Sequence, residues 1–130
     1  MIRRPSAAAV LARVGLAGKE HVVAKRLAYG ERRALEIAVA LAADPRLLFL
    51  DEPTAGLDPI AASAFDELVL YLRDTLRLTI VMVTHDLDTL ARTCDRVAVL
   101  VDGKVIVDTL GGIVANQHPW IRQYFHGARG

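Results

Sequence analysis

The chain has 130 residues, and 53% of them are hydrophobic, enough for the core of a small domain. Its 16 basic and 15 acidic residues nearly balance, which does not favour nucleic-acid binding. A single cysteine cannot form an internal disulfide, and no apolar stretch approaches the length of a membrane span. We therefore expect an intracellular protein. The N-terminal segment is not interpreted as a signal peptide, because Arg13 interrupts its apolar run.

Apolar spacing and breaker residues predict an alternation of helices and strands. Helices are predicted around Val10, over Glu31 to Ala43, over Ile60 to Leu76 and over Leu87 to Cys94, the last capped by Asp86. Strands are predicted over Leu47 to Leu50, Thr79 to Val83, Arg96 to Val101 and Lys104 to Asp108. In the second helix, helical spacing places Leu35, Ala38, Val39 and Ala42 on one face. The pair Asp102-Gly103 predicts a hairpin between the last two strands.

The segment from Leu47 to Asp58 gives the first functional signal. Its four leading apolar residues are typical of a strand buried on both faces, and Asp51 and Glu52 follow at the carboxyl end. Two adjacent acids in such a place are costly to bury, and a Mg²⁺ ion is the usual compensation. The pair Asp58-Pro59 then predicts the N-cap and the first residue of the next helix.

A second functional signal follows the strand Thr79 to Val83, which is also predicted to be fully buried. A strand, a crossover helix and another buried strand form a βαβ unit, so both strands are expected to be parallel. Their carboxyl ends then meet at one edge of the sheet. The sequence thus predicts that Asp51, Glu52 and His85 share one rim.

A third signal is Gly30, which immediately precedes the predicted helix at Glu31. A glycine before a helix lets backbone N–H groups approach an anion, and a helix N-terminus favours negative charge. Gly30 is therefore compatible with a phosphate site. An ordinary helix cap explains the same residue and stays open as an alternative.

Together these segments resemble the ATP-binding cassette (ABC) ATPases. Leu27 to Glu31 resembles the signature motif of that family, Leu47 to Glu52 its Walker B strand and catalytic glutamate, Ala55 to Asp58 its D-loop, and His85 its switch histidine. The resemblance implies an α/β fold, the C-terminal half of a P-loop (RecA-like) domain. It divides the chain into a helical subdomain with the signature helix (1–43), a parallel βαβ core with a C-terminal hairpin (44–110) and a tail (111–130).

The resemblance also implies ATP and Mg²⁺ as cofactors and a role for each site residue. Asp51 would hold the Mg²⁺ shell, Glu52 would accept a proton from the attacking water, and His85 would contact the γ-phosphate. Asp58 would lie at a dimer interface. The signature residues would face the ATP bound to the opposite subunit; they are Ala28, Tyr29, Gly30 and Glu31.

The implied partners are a second ABC ATPase subunit, closed head to tail on this one, and an integral membrane permease. The implied location is cytoplasmic, peripheral on the inner face of the cell membrane. ABC-type ATPases of DNA repair, translation or chromosome structure fit less well, because the chain has neither heptads nor a basic stripe.

The sequence departs from the family pattern in two places. No Gly-x-x-x-x-Gly-Lys-[Ser/Thr] occurs, since the Gly-Lys pairs at Lys19 and Lys104 lack both the first glycine and the following hydroxyl residue. We therefore expect a chain that begins inside the helical subdomain and does not hydrolyse ATP alone. In the signature, Ala28 replaces the usual serine and Tyr29 the first glycine. Losing one charge-assisted hydrogen bond would weaken that site by roughly 1.5–3 kcal/mol.

Two parts of the chain resemble ABC ATPases that serve transporters of different cargo. Leu27 to Ala38 resembles the ATPases of branched-chain amino-acid importers, whereas the chain from Asp44 on, including Thr84 to Leu90, resembles Mla-type lipid-transport ATPases. The longer match favours lipid transport. Two alternatives stay open: branched-chain amino-acid import, and a non-catalytic fragment that pairs with or regulates an intact ATPase.

The C-terminal tail gives two further expectations. Trp120, Ile121, Tyr124 and Phe125 form an aromatic face that either reaches the partner ATPase or covers the protein's own sheet edge. His118 and His126 are expected to be structural, because they have no companions at metal-ligand spacing.

Overall fold

The computed structural model describes residues 4–127, which divide after Thr89 into two compact units. The helices are α1 (Ala7–Arg13), α2 (Tyr29–Leu41), α3 (Pro59–Leu76), α4 (Leu87–Thr93), α5 (Leu110–Val114) and α6 (Pro119–His126). The strands are β1 (Leu47–Asp51), β2 (Thr79–Val83), β3 (Val97–Val101) and β4 (Lys104–Asp108). A short 3₁₀ turn, Ala24–Arg26, precedes α2. The mixed α/β class predicted from the sequence is confirmed.

Local sequence signals set the helix ends in the first unit. The Ser6 side chain accepts the Ala9 N–H at the start of α1. Asp58 Oδ1 accepts the Ala61 N–H at 2.9 Å, and Pro59 is the first residue of α3, as predicted. Helix α3 ends at Leu76, and the following Arg77 adopts the left-handed conformation usual after a helix.

Strands β1 and β2 pair in parallel, with Leu47 opposite Thr79 and Asp51 opposite Val83. The predicted βαβ unit is therefore confirmed, with α3 as its crossover. The core of this unit lies where one face of the sheet packs against the helices. Its buried apolar residues include Ile37, Leu41, Leu48, Phe65, Val69 and Leu72.

The prediction that both strands are buried on both faces is wrong for the described residues. Burial alternates along β1, and Phe49 keeps 69% of its surface exposed. Along β2, Val81 and Val83 are likewise exposed. Residues of alternate parity, such as Leu48 and Ile80, face the helices. The desolvation argument for the acids at the end of β1 therefore does not hold in this chain.

The face predicted for α2 is only partly correct, since Ala38 is buried and Leu35 packs against the core. The buried residues are Ala34, Ile37, Ala38 and Leu41, whereas Val39 is 70% exposed and Ala42 is exposed. The buried stripe lies about one residue away from the predicted one. An alanine-rich helix carries small apolar residues on several faces, so its periodicity selects no single stripe.

The second unit is built on the antiparallel pair β3 and β4. Asp102 and Gly103 link the strands, both with positive φ, as the predicted two-residue hairpin requires. Val97, Val99, Ile113 and Ile121 form the buried core of this unit. No helix within residues 4–127 combines the length and hydropathy needed to cross a bilayer.

Candidate functional site

Glu52 and His85 meet at the carboxyl ends of β1 and β2. His85 Nδ1 is within hydrogen-bonding range of Glu52 Oε1, and the His85 backbone N–H donates to Glu52 Oε2 at 3.3 Å. Because an ionised carboxylate can only accept, the ring contact places the imidazole proton on Nδ1. A carboxylate has roughly four acceptor positions, so this pairing leaves room for a water on Glu52. The predicted shared rim is present for these two residues.

Glu52 adopts an unusual backbone conformation for a side-chain-bearing residue. Its φ is +46°, in the left-handed region. Its N–H continues the sheet by donating to Val83 O at 2.7 Å, and its carbonyl accepts the Ala55 N–H at 3.1 Å. The chain therefore leaves β1 through a sharp turn that directs Glu52 toward the end of β2.

Asp51 lies beside Glu52 in sequence but on a different surface. It has the parity of Phe49, so it shares the exposed face of the sheet. Among residues 4–127, no three His, Cys, Asp or Glu side chains group as metal ligands. Mg²⁺ commonly uses one or two carboxylates together with waters and phosphate oxygens, so one exposed carboxylate fits that ion.

The signature segment forms the start of α2. Helix α2 begins at Tyr29, so Gly30 lies inside the first turn rather than before the helix as predicted. Ala28 is the N-cap residue and has no side-chain acceptor for the first N–H groups of the helix. Glu31 Oε1 accepts the Ala28 N–H at 3.1 Å, and its carboxylate also pairs with Lys19. The Lys19 hydrogen bond, followed by that from Ala28, lowers the pKa of Glu31.

The signature segment and Asp58 line a common cleft of about 430 Å³. Its lining includes Ala28, Gly30, Glu31, Gly56 and Asp58. The Asp58 side chain itself caps α3. The structure therefore groups the predicted residues into two sets: Glu52 with His85 at the rim, and the signature segment with Asp58 around the cleft.

A contact between Tyr29 and the loop before α3 has no counterpart in the sequence prediction. A Cβ built on Gly56, which has φ +80°, would lie 3.3 Å from Tyr29 Cε1. The Tyr29 hydroxyl accepts a hydrogen bond from Arg33 Nη2 at 2.9 Å, and the guanidinium carbon lies 5.2 Å from the ring centroid. The spacing of four residues between Tyr29 and Arg33 is a sequence signal for the contact between these two side chains, but it does not indicate the approach of Tyr29 to Gly56.

Asp86 follows His85 and caps α4, as predicted. Its Oδ1 accepts the N–H groups of Asp88 and Thr89 at 2.9 and 3.2 Å. Burial raises the pKa of Asp86, but the hydrogen bonds from Thr89, Asp88 and Thr54 outweigh burial and leave the pKa below its usual value. The contact with Thr54 was not predicted, because nothing in the local sequence indicates it.

The tail histidines make structural contacts. His118 Nδ1 accepts the Trp120 N–H at the start of α6, while its Nε2 lies 2.7 Å from Asp102. His126 Nε2 lies 2.8 Å from Val114 O, which accepts a hydrogen bond from it. Of the aromatic residues, Trp120 stacks on Tyr124 with ring centroids 5.1 Å apart, and Phe125 packs against the core of the second unit.

Burial raises the pKa of the Cys94 thiol, which disfavours thiolate chemistry.

Residues 3–55 match the family model described as ABC transporter. The methionine import ATP-binding protein MetN of Haemophilus ducreyi is 38% identical over 113 residues, 86% of this chain and 33% of that protein. A fluoroquinolones export ATP-binding protein of Mycobacterium tuberculosis is 43% identical over 97 residues, 75% of this chain and 32% of that protein. The chain therefore spans about a third of the length of these curated relatives.

Solved structures with the same fold include cbiO1 from Clostridium perfringens, described as part of the ABC transporter complex cbiONQ. It is 31% identical with a TM-score of 0.77, over 95% of this chain and 49% of that one. The ADP conformation of an ATP-binding cassette of an ABC transporter gives a TM-score of 0.80 over 98% of this chain and 53% of that one. At 23% identity, the second likeness concerns the fold alone.

Proposed function

Since this chain carries the sequence and the fold of an ABC transporter ATP-binding domain over part of that domain's length, we propose that it serves as an ATP-binding and ATP-hydrolysing subunit of such a transporter. The observation that carries the proposal is the contact between Glu52 and His85. Two residues from different strand ends, 33 positions apart, meet where a parallel sheet binds its ligands.

The chemistry of the rim suits phosphoryl transfer to water. Glu52 accepts the proton of the attacking water, for which it retains acceptor positions beside the His85 contact. His85, with Nδ1 directed to Glu52, has Nε2 available to contact the γ-phosphate. Asp51, on the neighbouring exposed face of the sheet, would hold the Mg²⁺ shell with its carboxylate, and its role would be to bring charge neutralisation to the phosphates.

The cleft residues act toward a second subunit. The Ala28 side chain offers no acceptor to the first N–H groups of α2, which are those of Tyr29, Gly30 and Glu31. These backbone donors are therefore available to an anion. Asp58 lines the same cleft. We propose that this surface closes on the ATP of a second ABC ATPase subunit in a head-to-tail dimer.

The proposed assembly includes an integral membrane permease, which places the ATPase at the inner face of the cell membrane. Support comes from the sequence resemblance and from the relatives, which are named as import and export ATP-binding proteins. Among solved structures, cbiO1 is described as part of a transporter complex.

The cargo proposal is separate. The resemblance of Thr84 to Leu90 favours lipid of the Mla type, and that of the signature favours branched-chain amino acids. The relatives above are named for methionine import and fluoroquinolone export, so they add no support for a lipid. Purification of the native assembly from membranes and identification of what co-purifies decides between these cargo classes.

A second candidate function follows from the lack of a phosphate-binding loop sequence in these residues. No Walker A sequence occurs in these 130 residues. This motif content is consistent with a non-catalytic role. In that role the chain supplies its signature surface to an intact ATPase and does not hydrolyse ATP itself.

The decisive experiment uses the native assembly, recovered through a C-terminal tag on this protein in its own cells. The Glu52→Gln variant should lose at least about 100-fold in ATP hydrolysis, because it removes the general base. Binding of ATP should persist. The isolated 130-residue chain, which we expect to be inactive, is the baseline of the same assay.

The matched control is Glu67→Gln, which makes the same chemical change at an exposed position in α3. It should hydrolyse ATP at the wild-type rate. If Glu52→Gln also keeps the wild-type rate, Glu52 is not the general base and the catalytic proposal fails in favour of the non-catalytic role.

A further inference from the structure

A second contact joins the two loops that carry Glu52 and His85. Thr54, two residues beyond Glu52, donates from Oγ1 to Asp86 Oδ2 at 3.3 Å, and Asp86 directly follows His85. Thr54 is only 6% exposed. The loops after β1 and β2 are therefore linked by a partly buried hydrogen bond close to the rim, between residues that no proposed catalytic step uses.

Asp86 is held rigidly at its end of this link. Its other oxygen, Oδ1, accepts the N–H groups of Asp88 and Thr89, and its own N–H donates to Thr84 Oγ1 at 3.0 Å. Both carboxylate oxygens and the backbone N–H are thus engaged. An acceptor fixed in this way determines where the Thr54 hydroxyl must lie.

The link continues into the core through Thr89. The Thr89 hydroxyl donates to Asp66 of α3, with distances of 3.1 and 3.2 Å to the two carboxylate oxygens. Asp66 is 1% exposed and Thr89 is fully buried. Polar contacts at such depth have little freedom to rearrange, because an alternative position would leave a buried group without a partner.

The Thr54–Asp86 hydrogen bond lies two residues beyond Glu52, which has a strained backbone conformation. Glu52 holds a left-handed backbone, and conformations of this kind persist only where the surroundings over-determine them. The hydrogen bond of its N–H to Val83 fixes the start of the turn. The Thr54 contact fixes the turn two residues later, so the conformation of Glu52 is constrained from both sides.

We propose that Thr54 and Asp86 are positioning residues that hold the Glu52 carboxylate against His85. The effect on hydrolysis rests on the function proposed above, whereas the effect on the Glu52–His85 contact does not. If the link were merely a cap of α4, removing the Thr54 hydroxyl would lower stability and leave the contact between Glu52 and His85 unchanged.

The test is the ¹⁵N resonance pair of the His85 ring, assigned with His85→Gln, in the 130-residue chain. All variants are compared in a Phe49→Lys background, which places a charge on the exposed apolar face of the β1–β2 sheet and limits self-association. Glu52→Ala defines the shifts of a fully lost contact. In Thr54→Val, which keeps the side-chain shape and removes the hydroxyl, the His85 shifts should move at least half of the way to those values. Thr54→Ser, which restores the hydroxyl, should return them toward wild type.

Thr75→Val is the matched control, because it makes the same change at an exposed position of α3. It should leave the His85 shifts at wild-type values. If Thr54→Val does not fold by circular dichroism, Thr54→Ala removes the same hydroxyl and carries the same expectation. Wild-type shifts in a folded Thr54 variant overturn the proposal.

The native assembly provides the second readout. Thr54→Val should lower kcat by about tenfold to hundredfold and change the KM for ATP less than twofold, because a displaced base slows chemistry more than binding. The two proposals fail separately. If Thr54→Val displaces the His85 shifts but Glu52→Gln is fully active, the positioning role of Thr54 and Asp86 is supported and the catalytic role of Glu52 is excluded.

Discussion

Among single residues, the backbone of Glu52 is the most informative. Asp44, Arg77 and Asp102 also have positive φ values, of 51°, 53° and 52°. Asp44 and Arg77 follow the ends of helices, and Asp102 lies in the hairpin, where left-handed residues are expected. Glu52 directly follows β1, and its carbonyl accepts the Ala55 N–H in the turn by which the chain leaves the strand. This left-handed turn places its carboxylate beside His85.

Gly56 gives a prediction at the same scale. Gly56→Ala should lower the free energy of unfolding by about 1 kcal/mol for the left-handed backbone, and by about 1 kcal/mol more because the new Cβ meets the Tyr29 ring at 3.3 Å. Gly15→Ala is the matched control, since Gly15 also has φ +80° but nothing within 4 Å. Urea unfolding monitored by circular dichroism measures both.

Tyr29→Ala separates the two contributions to the cost at Gly56. In that background, Gly56→Ala should cost no more than Gly15→Ala, because the ring is gone. Equal costs for Gly56→Ala and Gly15→Ala in the wild-type background would show that the Tyr29 contact does not constrain the loop.

Among the elements, the N-terminus of α4 has a stability that depends on pH. Hydrogen bonds to the carboxylate lower the pKa of Asp86 in the folded protein below the unfolded value of 3.8. Folding therefore favours the ionised form. The stabilisation is fully present above about pH 4 and is lost as the pH falls through the folded pKa.

Asp86→Ala should therefore cost about 1 kcal/mol of unfolding free energy at pH 7, a usual value for a lost cap. The difference from wild type should shrink as the pH falls below 3.8. Urea unfolding at several pH values measures it, and Glu67→Ala controls for loss of an exposed mid-helix carboxylate. A difference that stays constant down to pH 2.5 would contradict the linkage.

The elements also show which local signals are sufficient. Asp58-Pro59 and Asp102-Gly103 act within a few residues of themselves, and both predictions are confirmed. The buried face of α2 was predicted only in part, because its alanines are apolar on several sides and only the positions of α1 and α3 decide which side is covered.

In the molecule as a whole, the exposed face of the β1–β2 sheet dominates the expected solution behaviour. Leu47, Phe49, Val81 and Val83 are all exposed there and form an uncovered apolar face. We predict that the isolated chain self-associates at micromolar concentrations through this face. Phe49→Lys should raise the monomer fraction in sedimentation velocity, because it places a charge in the middle of the patch.

Val39→Lys is the control for that prediction, because it changes an equally exposed apolar residue on α2, away from the sheet face. It should leave the sedimentation profile as in wild type. Identical profiles for wild type and Phe49→Lys would exclude the sheet face as the contact surface.

Much of the site could be predicted from the sequence, but not its cross-links. The βαβ pattern requires parallel strands, so the shared rim of Glu52 and His85 followed from chain order and is present. The roles given to Glu52, His85, Asp51, Asp58 and the signature residues remain predictions. The Thr54–Asp86 and Tyr29–Gly56 contacts join residues distant in sequence, and no local pattern encodes them.

The sequence determined the order of the elements, their caps, the hairpin and the family resemblance, because periodicity and turn chemistry depend on near neighbours. Tertiary structure decided which faces are covered, since burial depends on elements that pack from elsewhere in the chain. It also decided the conformation of Glu52, because a left-handed glutamate is unfavourable alone and is stabilised here by hydrogen bonds with Val83 and His85, about 30 positions away.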